Sequence, residues 1–182
     1  ARELPVILAE AHDEASLQAL CAQTRVVVST VGPYALYGSE LVKVCAESGT
    51  DYCDLTGEPQ WIARMLAKHE AAAQRSGARI VHCCGFDSLP SDLGTYFLQG
   101  QSQERFQASC SRVKLRVKAM RGTFSGGTVA SMMEMLREVG KDRSILKVLQ
   151  NPYAFCGQQL KLRQPNPAPV SFDDDAKSWQ VP

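Results

Sequence analysis

The sequence predicts an α/β fold built on a parallel sheet, and three observations carry that expectation. Apolar runs of strand length recur at residues 5–9, 25–31, 52–55 and 80–84. Each is followed within a few residues by a segment of helical period, and short connections of that kind imply crossovers between parallel strands. The run R-V-V-V-S-T-V at 25–31 is continuous and β-branched, the pattern of a strand buried on both faces.

The elements follow in order. After the first strand, Asp13 is placed to cap a helix with Leu17, Leu20 and Cys21 on one face. The second strand stops at Gly32-Pro33, and Leu41, Val42, Val44 and Cys45 define a helix over 39–47 with Gly49 at the left-handed position beyond its end. A short strand of Tyr52, Cys53 and Leu55 leads through G-E-P to a helix that starts at Pro59 and closes at Gly77. The fourth strand stops at Gly85, where Asp87, Ser88 and Pro90 open a helix carrying Leu93, Tyr96 and Phe97. Residues 100–107 then read as a polar linker, and strict alternation over 112–119 predicts a half-exposed antiparallel strand. The glycine-bearing stretch 121–128 leads into a helix with Val129, Met132, Met133, Leu136 and Val139, and 151–170 reads as loop. This division suggests a domain over 1–100 and part of a second, α+β domain over 101–182.

Composition narrows the function classes. A formal net charge of +1 over 182 residues gives no global attraction to nucleic acid or anionic membrane. The seven cysteines form no C-x-x-C pair, which fits reduced thiols and a cytoplasmic location better than a disulfide framework. Neither a signal peptide nor an apolar run of membrane-spanning length is visible. The first residue is not Met and both ends read as cut, so the chain is expected to be part of a larger one. No G-x-G-x-x-G joins a strand to a helix anywhere in it.

The segments V-G-P-Y-A-L-Y-G (31–38), T-D-Y-C-D-L-T-G-E-P (50–59), C-G-F-D-S-L-P-S-D-L-G (84–94) and F-S-G-G-T (124–128) are specific in this order and spacing. Together they resemble the saccharopine dehydrogenase-like oxidoreductases, in the subgroup that includes trans-acting enoyl reductases of complex-lipid synthesis. The resemblance implies a Rossmann-type sheet lacking its first βαβ unit, followed by the start of an α+β substrate domain that can also serve dimerisation. It further implies that the intact protein uses NADP or NAD to reduce a C=C or C=N bond in a small-molecule or acyl substrate, and that this portion alone is inactive. Two alternatives stay open. One is a binding or scaffold protein that keeps the fold without catalysis. The other is a true saccharopine dehydrogenase, whose relatives carry D-P-G where this chain reads D-S-L-P.

In such a sheet, ligands sit beyond the carboxyl ends of the strands. On that ground Ser29, Thr30, Val31, Gly32, Pro33, Asp54, Gly85 and Phe86 are cofactor-side candidates. Asp87 and Tyr34 are candidates to supply or relay a proton, which hydride transfer to many substrates requires. Ser88, Pro90, Ser125, Gly126, Gly127 and Thr128 are substrate-side candidates, and several of these could equally be plain helix caps. Glu58 reads as a carboxylate at the start of its own helix. His82, Cys83 and Cys84 alternate across a strand and cannot easily converge on a metal. The stripe Arg112, Lys114, Arg116 and Lys118 reads as a solvated face rather than a docking site for an anionic carrier.

Overall fold

The computed structural model describes residues 4–117, 119, 121–156 and 170–180. Two compact units are distinguished, Ala1–Pro152 and Tyr153–Pro182. In the first, α1 (Glu14–Cys21) starts where expected, with the Asp13 carboxylate accepting a hydrogen bond from the Ala15 N–H. There follow β1 (Val26–Ser29), α2 (Tyr34–Tyr37), α3 (Ser39–Ser48), β2 (Asp51–Asp54), α4 (Pro59–Ser76) and β3 (Ile80–Val81). Both longer helices end as the sequence indicates, on Gly49 at φ 80° and Gly77 at φ 82°, a left-handed geometry that strains any residue bearing a Cβ.

The three strands are parallel in the order β1-β2-β3, with Val27 beside Tyr52 and Tyr52 beside Ile80. Side chains alternate along each strand, so this register sorts the sheet into two faces. The row Val27, Tyr52, Ile80 joins the core formed with Leu17, Val42, Cys45, Trp61 and Met65. The row Val28, Cys53, Val81 lies on the opposite face, where Val28 is 68% and Val81 51% exposed.

Several expectations are corrected here. The run at 25–31 is a strand only over Val26–Ser29 and is covered on one face, because the core formed by residues of the first four helices lies on the Tyr52 side. Residues 5–9 are extended without a ladder, and Val6 and Leu8 stand exposed. An apolar run becomes a strand only when a neighbour takes its N–H and C=O groups, and no described residue does so for this one. The fourth predicted strand shrinks to Ile80–Val81, since the chain turns at Cys83, whose φ of 61° is left-handed.

Beyond the sheet, α5 (Leu89–Phe106) takes up the expected linker at 100–107 as far as Phe106 and ends on Gln107. Gln, Glu and Arg are good helix formers, and a helix with no buried residue needs no apolar stripe to mark it. Residues 112–117 and 119 are irregular rather than strand, and Lys118 lies outside the described residues. The chain continues as α6 (Gly126–Lys141) and α7 (Ile145–Leu149), the latter not anticipated.

In the second unit, β4 (Ser171–Asp173) and β5 (Ser178–Gln180) form an antiparallel hairpin. Phe172 meets Trp179 edge-on at 5.6 Å, and the Asp173 carboxylate accepts from the Asp175 and Ala176 N–H groups to fold the turn. Of the predicted loop at 151–170, residues 157–169 lie outside the described ones.

Candidate functional site

Because the strands are parallel, the turns after β1, β2 and β3 emerge along one edge of the sheet. Asp54, the last residue of β2, ties two of them together. Its Oδ1 accepts from the N–H groups of Thr56 (3.1 Å) and Cys83 (3.0 Å), and its Oδ2 lies 2.7 Å from His82 Nδ1. The Asp54 side chain has no exposed surface. The structure therefore puts this carboxylate beneath the rim, holding the turns, rather than facing the crevice. His82 in turn packs edge-on against Trp61, with ring centroids 5.0 Å apart.

Glu58 does the same for the first turn. It precedes α4 but makes no side-chain cap there. Instead its two oxygens accept from the N–H groups of Tyr34 and Ala35, each at 2.8 Å, so a fully buried carboxylate sits on the free amides of α2. The expectation that Glu58 serves its own helix is corrected: it serves a helix 23 residues earlier in the chain.

Tyr34 is thereby fixed at its backbone and at its tip. The buried phenol donates to the Ser29 carbonyl at 3.1 Å and accepts from the Leu55 N–H at 3.4 Å, which joins the first turn to the second. Burial pushes its pKa above the ordinary 10.0; the Leu55 hydrogen bond works against this, and the charges of Asp54 and Glu58 add to it. The group is a neutral proton holder at physiological pH.

Above this rim lies a cavity of about 280 Å³. The sheet side contributes Thr30, Gly32, Tyr34, Leu55, Gly57 and Asp87. The start of α6 contributes Ser125, Gly127, Thr128, Ser131, Met132 and Met135. Ser125 both lines the cavity and caps the helix, its Oγ accepting from the Thr128 N–H at 3.1 Å. At Gly85 an added Cβ would stand 2.7 Å from Asp87 Oδ1, so a glycine there lets the Asp87 carboxylate fold back over the turn.

Seven candidates from the sequence thus meet around one space: Thr30, Gly32, Tyr34, Asp87, Ser125, Gly127 and Thr128. Others lie beside it. Ser29 and Pro33 are buried, Val31 and Phe86 are exposed, and Gly126 is the first residue of α6. Ser88 faces a second depression of about 540 Å³ that Asp87 also lines, while Pro90 is exposed in the first turn of α5. Sequence reasoning passed over Leu55, Gly57, Ser131, Met132 and Met135 as site residues. The 128-131-132-135 spacing on one helical face was the available signal. Among the described residues, no group of three or more His, Cys, Asp or Glu is placed to hold a metal ion. No helix among them is long and apolar enough to cross a membrane.

A parallel α/β sheet whose strand ends line a cavity is the architecture of a Rossmann-type domain. Residues 5–81 match the saccharopine dehydrogenase NADP binding domain. A Mycobacterium tuberculosis protein named as a trans-acting enoyl reductase is 44% identical over 153 residues, covering 84% of this chain and 36% of that protein. Trans-acting enoyl reductases of Mycobacterium bovis and Mycobacterium leprae are 39% and 38% identical over 156 residues, 85% of this chain and 37% of theirs. The chain thus spans little more than a third of the length of these relatives. No solved structure matches it.

Proposed function

We propose that the protein carrying this chain is an NADPH-dependent reductase that acts on the polarised double bond of an acyl thioester. The carrying observation is the cavity: three strand-end turns and the first residues of α6 face one space with a buried, neutral tyrosine in its wall. Its volume of about 280 Å³ suits the nicotinamide end of a dinucleotide with the reacting part of a substrate, and not a whole dinucleotide. Gly32 and Gly57 leave backbone open to a planar ring, and the sequence offers no G-x-G-x-x-G for the pyrophosphate.

Bound there, the reduced nicotinamide supplies a hydride to the β-carbon of the substrate. The electron pair of the double bond then moves toward the thioester oxygen, and the α-carbon takes a proton. The Gly126 and Gly127 N–H groups, at the open start of a 16-residue helix, are suited to receive the charge that builds on that oxygen. Tyr34 holds the proton at its phenol oxygen, and Asp87, exposed at the rim, passes a replacement from solvent. Asp54 and Glu58 are positioning residues: they set the turns and touch no reactant. Residues 101–182 serve as the beginning of the substrate-binding portion.

The test is an assay of the full-length protein with NADPH and crotonyl-coenzyme A, followed by loss of NADPH absorbance. Turnover with this thioester is expected, and no reduction of NADP+ when saccharopine is offered instead as the hydride donor. Turnover with saccharopine alone would move the reading to amino-acid chemistry, and failure to bind NADPH at millimolar concentration would remove the reductase altogether.

A further inference from the structure

The cavity has two walls, and both are referenced to α4. At the start of α4, Glu58 holds the α2 turn that carries Tyr34. Within the first two turns of α4, Gln60 and Arg64, four residues apart on one helical face, reach across to Glu138 in the last turns of α6. Gln60 Nε2 donates to Glu138 Oε2 at 3.0 Å and Arg64 donates to Oε1 at 2.8 Å, so both oxygens of a largely shielded carboxylate are engaged.

Apolar packing does little to hold α6. No residue of that helix is buried, and Val129, Met132, Met133 and Leu136 are each roughly half exposed or more. Its C-terminal end is secured by Glu138 and by α7, which packs on both α4 and α6. Its N-terminal end reaches over the cavity, where Ser131 lies against Gly32, an added Cβ there standing 3.4 Å from its hydroxyl, an ordinary van der Waals contact. The helix is a lever. Thr128 lies ten residues from Glu138, about 15 Å along the axis, so a tilt of ~4° shifts the tip by ~1 Å. Displacements of that size at a positioned group cost rate steeply.

We propose that Glu138, through Gln60 and Arg64, is a positioning residue that sets the aperture of the cavity by fixing the angle of α6 over the strand-end rim. The catalytic part of this inference rests on the reductase reading; the structural part does not. Removing the latch frees the tip that carries Gly126 and Gly127 while leaving the sheet-side turns in place.

Two measurements on the full-length protein separate these parts. Hydrogen exchange of the α6 amides from Val129 to Met135 reads the latch without any ligand, and Glu138→Ala is expected to speed it about tenfold. In the crotonyl-coenzyme A assay the same variant should lose about tenfold in kcat with the NADPH dissociation constant changed less than twofold. The charge-swapped pair Arg64→Glu with Glu138→Arg should restore both, since the buried and unpartnered Gln60 Oε1 can accept from the new guanidinium. Unchanged exchange in Glu138→Ala, or an equal loss in NADPH affinity, overturns the latch. If wild-type protein fails to bind NADPH yet exchange still rises in the variant, the reductase reading falls and the latch stands.

Discussion

Tyr34 draws its position from residues far from it in sequence, which is why its neighbours matter as much as its own chemistry. Glu58 supplies the acceptors for the first amides of α2, and truncation leaves one buried and one part-buried N–H group unpaired. Glu58→Ala is therefore expected to lower unfolding stability by about 3 kcal/mol in urea denaturation, and a loss under ~1 kcal/mol would contradict the assignment. For Tyr34 itself the sign of the pH effect follows from burial. Its folded pKa lies above 10.0, so the stability gained by sheltering the neutral phenol is fully present below pH 10 and is lost as pH climbs through the raised value. The same sign keeps the proposed proton donor protonated: turnover should show no alkaline fall from this group below about pH 10. Tyr34→Phe should lower kcat by about 10²-fold, and an unchanged kcat would assign the proton to another group. At this scale the sequence showed which turns carry Tyr34 and Asp87. It could not show that Asp54 and Glu58 point inward, because a carboxylate beside a turn looks the same whether its partners are solvent or amides 20 to 30 residues away.

Helix ends were the most legible elements. Asp13, Gly49, Pro59 and Gly77 act through local geometry, and each stands where a cap or a left-handed residue is required. Strands were less so, since residues 5–9 and 112–117 have the composition of strands and no ladder among the described residues. A pattern specifies which face a strand would bury, whereas pairing depends on another segment. The junction between α2 and α3 offers a direct test of packing. A Cβ at Gly38 would fall 2.8 Å from the Trp61 ring and 3.0 Å from the Tyr34 carbonyl, with Trp61 fully buried and unable to withdraw. Gly38→Ala should destabilise the fold by about 1–3 kcal/mol and shift the urea midpoint accordingly. A neutral substitution would mean that the α2–α4 contact is looser than described.

On the scale of the whole molecule, the parallel sheet and its single rim were legible, and the uneven covering of its faces was not. A β-branched run signals burial on both sides, yet Val28 and Val81 stand open on the face opposite the core. The 182-residue chain by itself should therefore bind a hydrophobic dye. Replacing Val28 and Val81 together by Thr should reduce that binding with little change in stability, because neither side chain is packed. Absence of dye binding would mean that this face is covered in solution.

The placement of a reduced nucleotide at the strand ends is tested most directly by NADPH fluorescence titration of the full-length protein beside its Thr30→Trp variant. Thr30 is exposed and lines the cavity, so the larger ring fills the space without disturbing the core. Saturable binding below millimolar cofactor, weakened at least tenfold by the substitution, is the expected result. Equal affinity in both proteins would locate the nucleotide elsewhere, and no saturable signal in either would end the proposal.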